Sequence, residues 1–305
     1  MPERIHGLQG RQPVLPVDQR LQINYLHEYM ETVDATATIA YPVDVTAGIA
    51  DDAWLMLDNG PDPTCTVDTP NGVGQAVGNC GPCGYAHDTM VAAMLGHVLG
   101  VDAPTANAIV ALYLKYTGGQ DVGVNVAQFL LWLFHQGLIL GFGPVALDRI
   151  VQMVVQLQRG LILGVNLTDQ DQTRFDQTPP EPWTTNGGQW TPDMSDGHVV
   201  YGPVRANADG SGDLVSWGFA QPYLKDWIAA QSAGGCVEEA WGIVTHEDLK
   251  VFGAKGFSTL LATIGRLPKS VPPAQRPGLI AELDALVGDV RHDVVSFIHR
   301  LGVDL

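Results

Sequence analysis

Residues 78–87 read Gly-Asn-Cys-Gly-Pro-Cys-Gly-Tyr-Ala-His, and an apolar pattern with helical spacing follows them directly. This pattern predicts a helix over residues 84–99. A cysteine at the start of a helix lies where backbone N–H groups and the helix dipole favour a negative charge. Such an environment lowers the pKa of a thiol towards the reactive thiolate. The stretch therefore predicts a cysteine nucleophile, and Cys80 and Cys83 are its two candidates.

A second segment, far downstream, supplies the histidine that such a nucleophile needs. It reads Ser195-Asp196-Gly197-His198-Val199-Val200-Tyr201-Gly202 and is followed by Val215-Ser216-Trp217-Gly218. In a cysteine site the imidazole takes the thiol proton and the thiolate attacks a carbonyl carbon. A polar side chain upstream of the cysteine stabilises the oxyanion, and Gln75 is the nearby glutamine. A third polar group orients the imidazole.

The order of helical and strand patterns predicts an α+β fold, with helices first and antiparallel strands second. After the helix over 84–99, helical patterns cover residues 105–116, 124–136 and 145–158. Strand patterns cover residues 161–167, 198–205, 213–217 and 240–245, and residues 207–212 form a hairpin loop. We interpret residues 168–196 as a polar loop and residues 221–230 as a short helix.

Asn79-Cys80-Gly81-Pro82 before a helix resembles the active-site start of the papain-like clan, especially the double-glycine leader peptidases of bacteriocin exporters. The chain also resembles a group of papain-like proteins encoded by tailed phages of actinobacteria. This resemblance covers roughly residues 40–248 and rests on the order and spacing of its segments. They read Trp54 to Asn59, Gly78-Asn79-Cys80 with Ala86-His87, Leu130-Leu131-Trp132 with Gly137, Gly160 to Val165, Gly197-His198-Val199-Val200, Ser216-Trp217-Gly218 and Glu238-Glu239-Ala240-Trp241.

The resemblance leaves two frames for the nucleophile. The leader-peptidase and phage patterns place it at Cys80, with Gln75 five residues upstream. The Cys-Gly-x-Cys pattern of papain-like peptidases places it at Cys83 and implies that Cys80 is a disulfide cysteine. We prefer Cys80. Papain-like enzymes also have asparagine before Ser-Trp-Gly, where this chain has Val215, which cannot orient an imidazole.

Two side chains near Val215 are alternatives for the orienting role, Ser216 and Asp213. Strand alternation does not allow both of them to face His198. The aromatic residues Trp217, Trp190 and Trp183 are candidates for lining a substrate cleft, although core contacts that anchor a loop also explain Trp183 and Trp190.

Explanations other than a nucleophile also fit the cysteines and most of the histidines. Cys80 and Cys83 also fit buried core thiols, a redox dithiol, or a zinc site completed by Cys65 and Cys236, but a single Cys-x-x-Cys is a weak metal signal. We therefore predict no metal and no cofactor. Packing or surface positions explain the histidines on the helical segments, which are His87, His97 and His135.

The charge of the chain limits its partners. The 305 residues carry 16 Lys and Arg against 33 Asp and Glu, a net charge of −17. Such a surface repels phosphates and anionic lipids, so we expect neither nucleic acid nor a membrane as a partner. No apolar run approaches the ~20 residues needed to span a bilayer, and no signal peptide is visible. These features predict synthesis in the cytoplasm of a bacterial host.

Segments outside the papain-like region predict arms and contacts. Residues 1–35 form an arm with a short helix, residues 36–248 the papain-like domain, and residues 249–305 a helical extension with a proline-rich linker over 268–277. The extension carries apolar residues at heptad spacing, which fits either a helix packed on its own domain or one that contacts a partner or sister subunit. This seam consists of Ile280, Leu283, Val287, Val290, Val294, Phe297 and Leu301.

Two functions fit these observations. The phage resemblance implies a virion-associated structural protein (minor capsid, decoration or tail) with a degenerate Cys/His site, which associates with itself or with other virion proteins. The alternative is an active cysteine hydrolase, a peptidase or peptidoglycan amide hydrolase, in which His198 serves Cys80 as base.

Overall fold

An antiparallel sheet packed against helices organises the chain in a computed structural model that describes residues 39–46, 77–94, 106–185, 197–233 and 239–244. The described helices are α1 (Cys80–Met94), α2 (Ala106–Thr117), α3 (Val126–His135), α4 (Ile150–Leu157), α5 (Asp169–Phe175) and α6 (Lys225–Ala233). The described strands are β1 (Val43–Asp44), β2 (Gly141–Pro144), β3 (Leu161–Asn166), β4 (Gly197–Ala206), β5 (Gly212–Ser216), β6 (Phe219–Tyr223) and β7 (Glu239–Val244). The predicted α+β class is confirmed.

The sheet formed by the described residues has seven strands, of which six follow the order β2-β7-β3-β4-β5-β6, and all of its strand pairs are antiparallel. The short strand β1 pairs with the far end of β4, beyond the part of β4 that pairs with β3. All six residues of β3 are buried, as expected for a central strand covered on both faces. The strand that carries His198 thus lies in the middle of the sheet.

Helix α1 packs on the centre of this sheet, and two glycines permit the close approach. A Cβ at Gly84 would lie 3.3 Å from the side chains of Ile162 on β3 and Val199 on β4. A Cβ at Gly81 would collide with the side chain of Val124, just before α3. A larger residue at Gly84 would press on the strands, and one at Gly81 would press on the segment before α3. The glycines of the quoted stretch therefore bring the cysteines next to His198.

Several element predictions agree with the structure and others are wrong. Helix α1 begins four residues before the predicted 84–99 segment, so that both cysteines belong to its first turn. The predicted loop 168–196 contains helix α5. The start of the predicted helix 221–230 belongs instead to strand β6, and α6 follows it. Strand β2 was not predicted at all.

Some predictions fall outside the described residues. These are the N-terminal arm, the Trp54 to Asn59 segment, and the C-terminal extension with its linker and heptad seam. Among the helices that the structure describes, none is both long enough and apolar enough to cross a membrane.

Candidate active site

The first turns of α1 and the strands beneath it enclose a small cavity. Helix α1 contributes Cys80, Cys83 and His87, and the neighbouring strands contribute His198 and Ser216. The cavity volume is about 10 Å³, which is close to the lower limit for holding one water molecule. Thiols, imidazoles and a hydroxyl from distant parts of the chain therefore meet in one water-sized space.

The backbone before α1 is held by a carboxylate. Asp121 accepts a hydrogen bond from the Gly78 N–H at 2.9 Å and another from the Tyr113 hydroxyl at 2.7 Å. The Tyr113 oxygen in turn accepts from the Gly123 N–H at 2.9 Å. Both ends of this network are backbone groups, so it fixes the turn that leads into Cys80.

Both cysteines are buried thiols rather than halves of a disulfide. Cys80 is 2% exposed and Cys83 is 6% exposed. The Cys83 N–H donates the first hydrogen bond of the helix, to the Asn79 carbonyl at 2.9 Å. Cys80 is thus the first helical residue, where N–H groups have no acceptor within the helix and the dipole favours an anion. Of the two thiols, Cys80 has the position that better stabilises a thiolate.

The side chain of Asn79 is a feature that the sequence did not single out. It is 1% exposed, and neither atom of its amide has a hydrogen-bond partner within the part of the chain that the structure describes. A buried amide in this condition is uncommon in folded proteins. In the sequence, the position of Asn79 directly before Cys80 was the only indication that it belongs to the site.

His198 contacts a buried hydroxyl. Its Nε2 lies 3.0 Å from the Ser216 Oγ, and both residues are buried. When Nε2–H donates to the hydroxyl, Nδ1 is the basic nitrogen of the ring. Of the two predicted alternatives, Ser216 and Asp213, Ser216 is therefore the one that contacts the imidazole.

Trp217 covers the imidazole. Its ring stacks on His198 with centroids 4.4 Å apart and planes at 20°, and Phe175 meets the indole edge-on at 4.7 Å. Trp217 and Gly218 form the two-residue turn between β5 and β6, with φ angles of 45° and 72°. A tryptophan in this left-handed region is strained. The turn holds the indole over His198 despite that cost.

The second histidine of the cavity, His87, was assigned from the sequence to a packing or surface position. It is buried, and desolvation lowers its pKa to about 3. Its ring lies 5.9 Å from that of Tyr201, centroid to centroid. Cys80, Cys83 and His87 follow one another at spacings of three and four, which places them on one helix face. This spacing in the sequence could have predicted that His87 faces the same cavity as the cysteines.

A buried ion pair lies behind the cavity. The Arg159 Nε is 3.7 Å from the Asp88 Oδ1, and both side chains are buried. The Tyr201 hydroxyl accepts from the Gly160 N–H at 2.8 Å. Burial and the nearby Asp88 carboxylate raise the pKa of Tyr201 well above its usual value, so its hydroxyl stays protonated at neutral pH.

Two of the predicted site residues lie elsewhere. Asp213 pairs with Arg205, Oδ2 to Nη1 at 3.3 Å, and does not line the cavity. Trp183 belongs to the core: it is fully buried, its Nε1–H donates to the Asp171 carbonyl at 2.8 Å, and its ring packs on Trp227. The interpretation of Trp183 as a cleft residue is therefore wrong, and the loop-anchoring alternative agrees with the structure.

Other candidates fall outside the described residues: Gln75, Trp190, Cys65 and Cys236. Within the described ranges, no group of three or more His, Cys, Asp and Glu side chains is arranged to hold a metal ion. Comparison with protein-family models, with curated proteins and with solved structures gave no match to this chain.

Proposed function

We propose that this chain is a papain-like cysteine hydrolase that acts on peptide or peptidoglycan amide bonds. One observation carries the proposal: Cys80, His198 and Ser216 line the same cavity although they are far apart in the sequence. They supply a nucleophile, a base and a group that orients the base. The contact between His198 Nε2 and the Ser216 hydroxyl supports Ser216 as the orienting group in place of Val215.

The mechanism follows from these positions. Nδ1 of His198 accepts the proton of the Cys80 thiol, and the thiolate attacks the carbonyl carbon of the substrate. Backbone N–H groups at the start of α1, with Gln75 as the expected side-chain donor, stabilise the oxyanion. The imidazolium then protonates the leaving amine. Water, deprotonated by the same imidazole, hydrolyses the thioester and releases Cys80.

Paired alanine variants test the proposal. We expect Cys80→Ala to lower hydrolysis of casein peptides or purified peptidoglycan by at least about 10³-fold, because the nucleophile is lost. Cys83→Ala, the matched control on the same helix turn, should keep hydrolysis within about threefold, since a nearby thiol without a chemical role is dispensable. Circular dichroism checks that both variants fold. If the two results were exchanged, Cys83 would be the nucleophile; hydrolysis that survives both changes would contradict the proposal.

A second candidate is a virion-associated structural protein that retains the papain-like fold with a degenerate site. The observation in its favour is that Cys80 is only 2% exposed and His198 only 1%, in a cavity with space for about one water molecule. Its partners would be other virion proteins or a second copy, bound through the seam at Ile280 to Leu301, and it would be made in the host cytoplasm. The acidic surface disfavours nucleic acid and membrane as alternatives.

Particle composition tests the second candidate. We expect mass spectrometry to find this chain in density-purified particles of the phage that encodes it, at a constant ratio to the major capsid protein. Particles from a phage carrying Cys80→Ala should contain the same amount, because assembly does not use the thiol. Absence from purified particles would contradict this role, whatever the hydrolysis assays show.

A further inference from the structure

The cavity contains two thiols where a cysteine hydrolase needs one. Cys80 and Cys83 lie three residues apart in the first turn of α1, both line the cavity, and neither is in a disulfide. Side chains three apart on a helix are neighbours, with Cβ atoms ~5–6 Å apart. The proposed hydrolysis leaves Cys83 without a role.

The surroundings of the two thiols differ. Cys80 is the first residue of the helix and has the dipole and His198 to stabilise its thiolate. Cys83 is followed one turn later by His87, which also lines the cavity. Because burial lowers the pKa of His87 to about 3, this imidazole is neutral at pH 7 and offers no positive charge to a thiolate. We therefore assign Cys80 as the thiol that reacts first and Cys83 as its partner.

We propose that Cys80 and Cys83 are a modification site, a dithiol that a small hydroperoxide oxidises to a reversible disulfide. Both sulfurs line one cavity, so an oxidant that reaches Cys80 leaves Cys83 beside the sulfenic acid that forms. This site uses the cavity of the proposed hydrolase but does not depend on hydrolysis.

The oxidation takes two steps. The Cys80 thiolate attacks one oxygen of hydrogen peroxide, the O–O bond breaks, and the departing hydroxide takes up a proton, which gives a sulfenic acid and water. The sulfur of Cys83 then attacks the Cys80 sulfur. The S–O bond breaks, and the hydroxyl leaves as a second water with the proton of the Cys83 thiol. Two thiols are oxidised, one peroxide is reduced, and a dithiol reductant reverses the change.

The local backbone permits the bond with a small movement. A disulfide needs Cβ atoms ~3.5–4.5 Å apart, so the first turn of the helix must tighten by about 1 Å. Pro82, between the cysteines, has no N–H to lose from the helix. The hydrogen bond from the Cys83 N–H to the Asn79 carbonyl is the helical bond most directly affected. The helix after Cys83 need not change.

Peptide mapping of the full chain tests the proposal. The reduced protein is treated with hydrogen peroxide, remaining thiols are alkylated with iodoacetamide, and the digest is analysed without reduction. We expect the peptide containing Cys80 and Cys83 to lose two hydrogens and both alkylation sites, and dithiothreitol to restore both. Recovery of this peptide with both thiols alkylated, or with Cys80 bonded to Cys65 or Cys236, would overturn the proposal.

Single-thiol variants assign the two roles. In Cys83→Ser, oxidation should stop at a Cys80 sulfenic acid that dimedone traps. In Cys80→Ser, Cys83 should react at least about tenfold more slowly, because it lacks the thiolate environment. Equal rates for the two variants would overturn the assignment. If either variant fails to fold, the wild-type map alone decides whether the disulfide forms.

The test of the disulfide can fail or succeed independently of the test of hydrolysis. Disulfide formation in a chain that hydrolyses nothing would contradict only the hydrolase proposal. Hydrolysis in a chain whose Cys80 and Cys83 never form a bond would contradict only the dithiol.

Discussion

Two buried polar regions of this protein differ in the chemistry of their side chains. In the Asp171 cluster (Asp171, Thr168, Trp183 and Trp227), the Asp171 carboxylate accepts from the Thr168 N–H and hydroxyl, both at 2.9 Å, and from the Trp227 Nε1–H at 3.1 Å. The Asp171 carbonyl accepts from the Trp183 Nε1–H. The donors of this cluster do not change protonation near neutral pH. The cavity beneath α1 instead brings together thiols and imidazoles, groups that exchange protons or electrons.

The difference indicates that the Asp171 cluster stabilises the fold, whereas the cavity contains the groups that can react. A satisfied polar network in the interior fixes a unique arrangement, and the Asp171 cluster joins the start of α5 to α6 in that way. Packing contributes more to the cavity, where Trp217 stacks on His198 and Gly84 allows α1 to approach the sheet, beside the hydrogen bond between His198 and Ser216. We therefore expect substitutions in the cluster to change stability, and substitutions in the cavity to change reactivity and its dependence on pH.

The largest effect is expected at Asp171. Asp171→Ala should lower the free energy of unfolding by about 3 kcal/mol, because it removes the Asp171 half of the capping box and leaves the buried Trp227 N–H without an acceptor. Asp171→Asn, the matched control, keeps one acceptor oxygen and should cost about half as much. Urea unfolding followed by tryptophan fluorescence measures both. A large change in the alkylation rate of Cys80 in either folded variant would contradict the view that the cluster affects stability and not reactivity.

A smaller effect is expected from pH, through His87. Its pKa lies near 3 in the folded protein and near 6.5 when exposed, so only the unfolded chain takes up this proton as pH falls below 6.5. Stability from this group is complete above pH 6.5 and falls by about 2 kcal/mol at pH 5. Urea unfolding between pH 7 and 5 measures it, and His87→Gln should remove this part of the slope. If the free energy of unfolding depended on pH in His87→Gln as it does in the wild type, His87 would not be the group responsible.

The smallest effect is expected at Ser216. Ser216→Ala removes the neutral hydrogen bond to His198 and should slow labelling of Cys80 by a peptide vinyl sulfone about tenfold, while lowering the free energy of unfolding by only about 1 kcal/mol. Ser216→Asn should recover part of the rate, because an amide oxygen accepts the same bond. The rate is read by mass spectrometry of the labelled peptide. A rate that is equal in all three proteins would mean that Ser216 does not orient the imidazole.

The sequence was most informative where one pattern extends over many residues. Helices α1 to α4 and the central strands β3 and β4 were predicted from apolar periodicity, and the resemblance to papain-like peptidases implied that Cys80 or Cys83 would face His198. These elements have their apolar residues where the core lies, so local pattern and tertiary packing agree.

The elements that were missed depend on partners distant in sequence. Strand β2 is Gly-Phe-Gly-Pro, a poor strand sequence that is paired along its whole length with β7. Gln221 and Tyr223 pair with Leu214 and Gly212 of β5, and this pairing overrides their local helical pattern. Helix α5 has no apolar stripe and starts from the capping box of Thr168 and Asp171. The choice of Ser216 over Asp213 required the strand register.

The position of β7 has a consequence for how the protein is made. Of the described strands, this one comes last along the chain but lies between β2 and β3. Until a ribosome has released residues 239–244, β2 lacks the described strand with which it pairs, and the edge of β3 that pairs with β7 remains open. A growing chain can therefore collapse early but completes its sheet late, and a chain cut short before Glu239 exposes strand edges that favour aggregation.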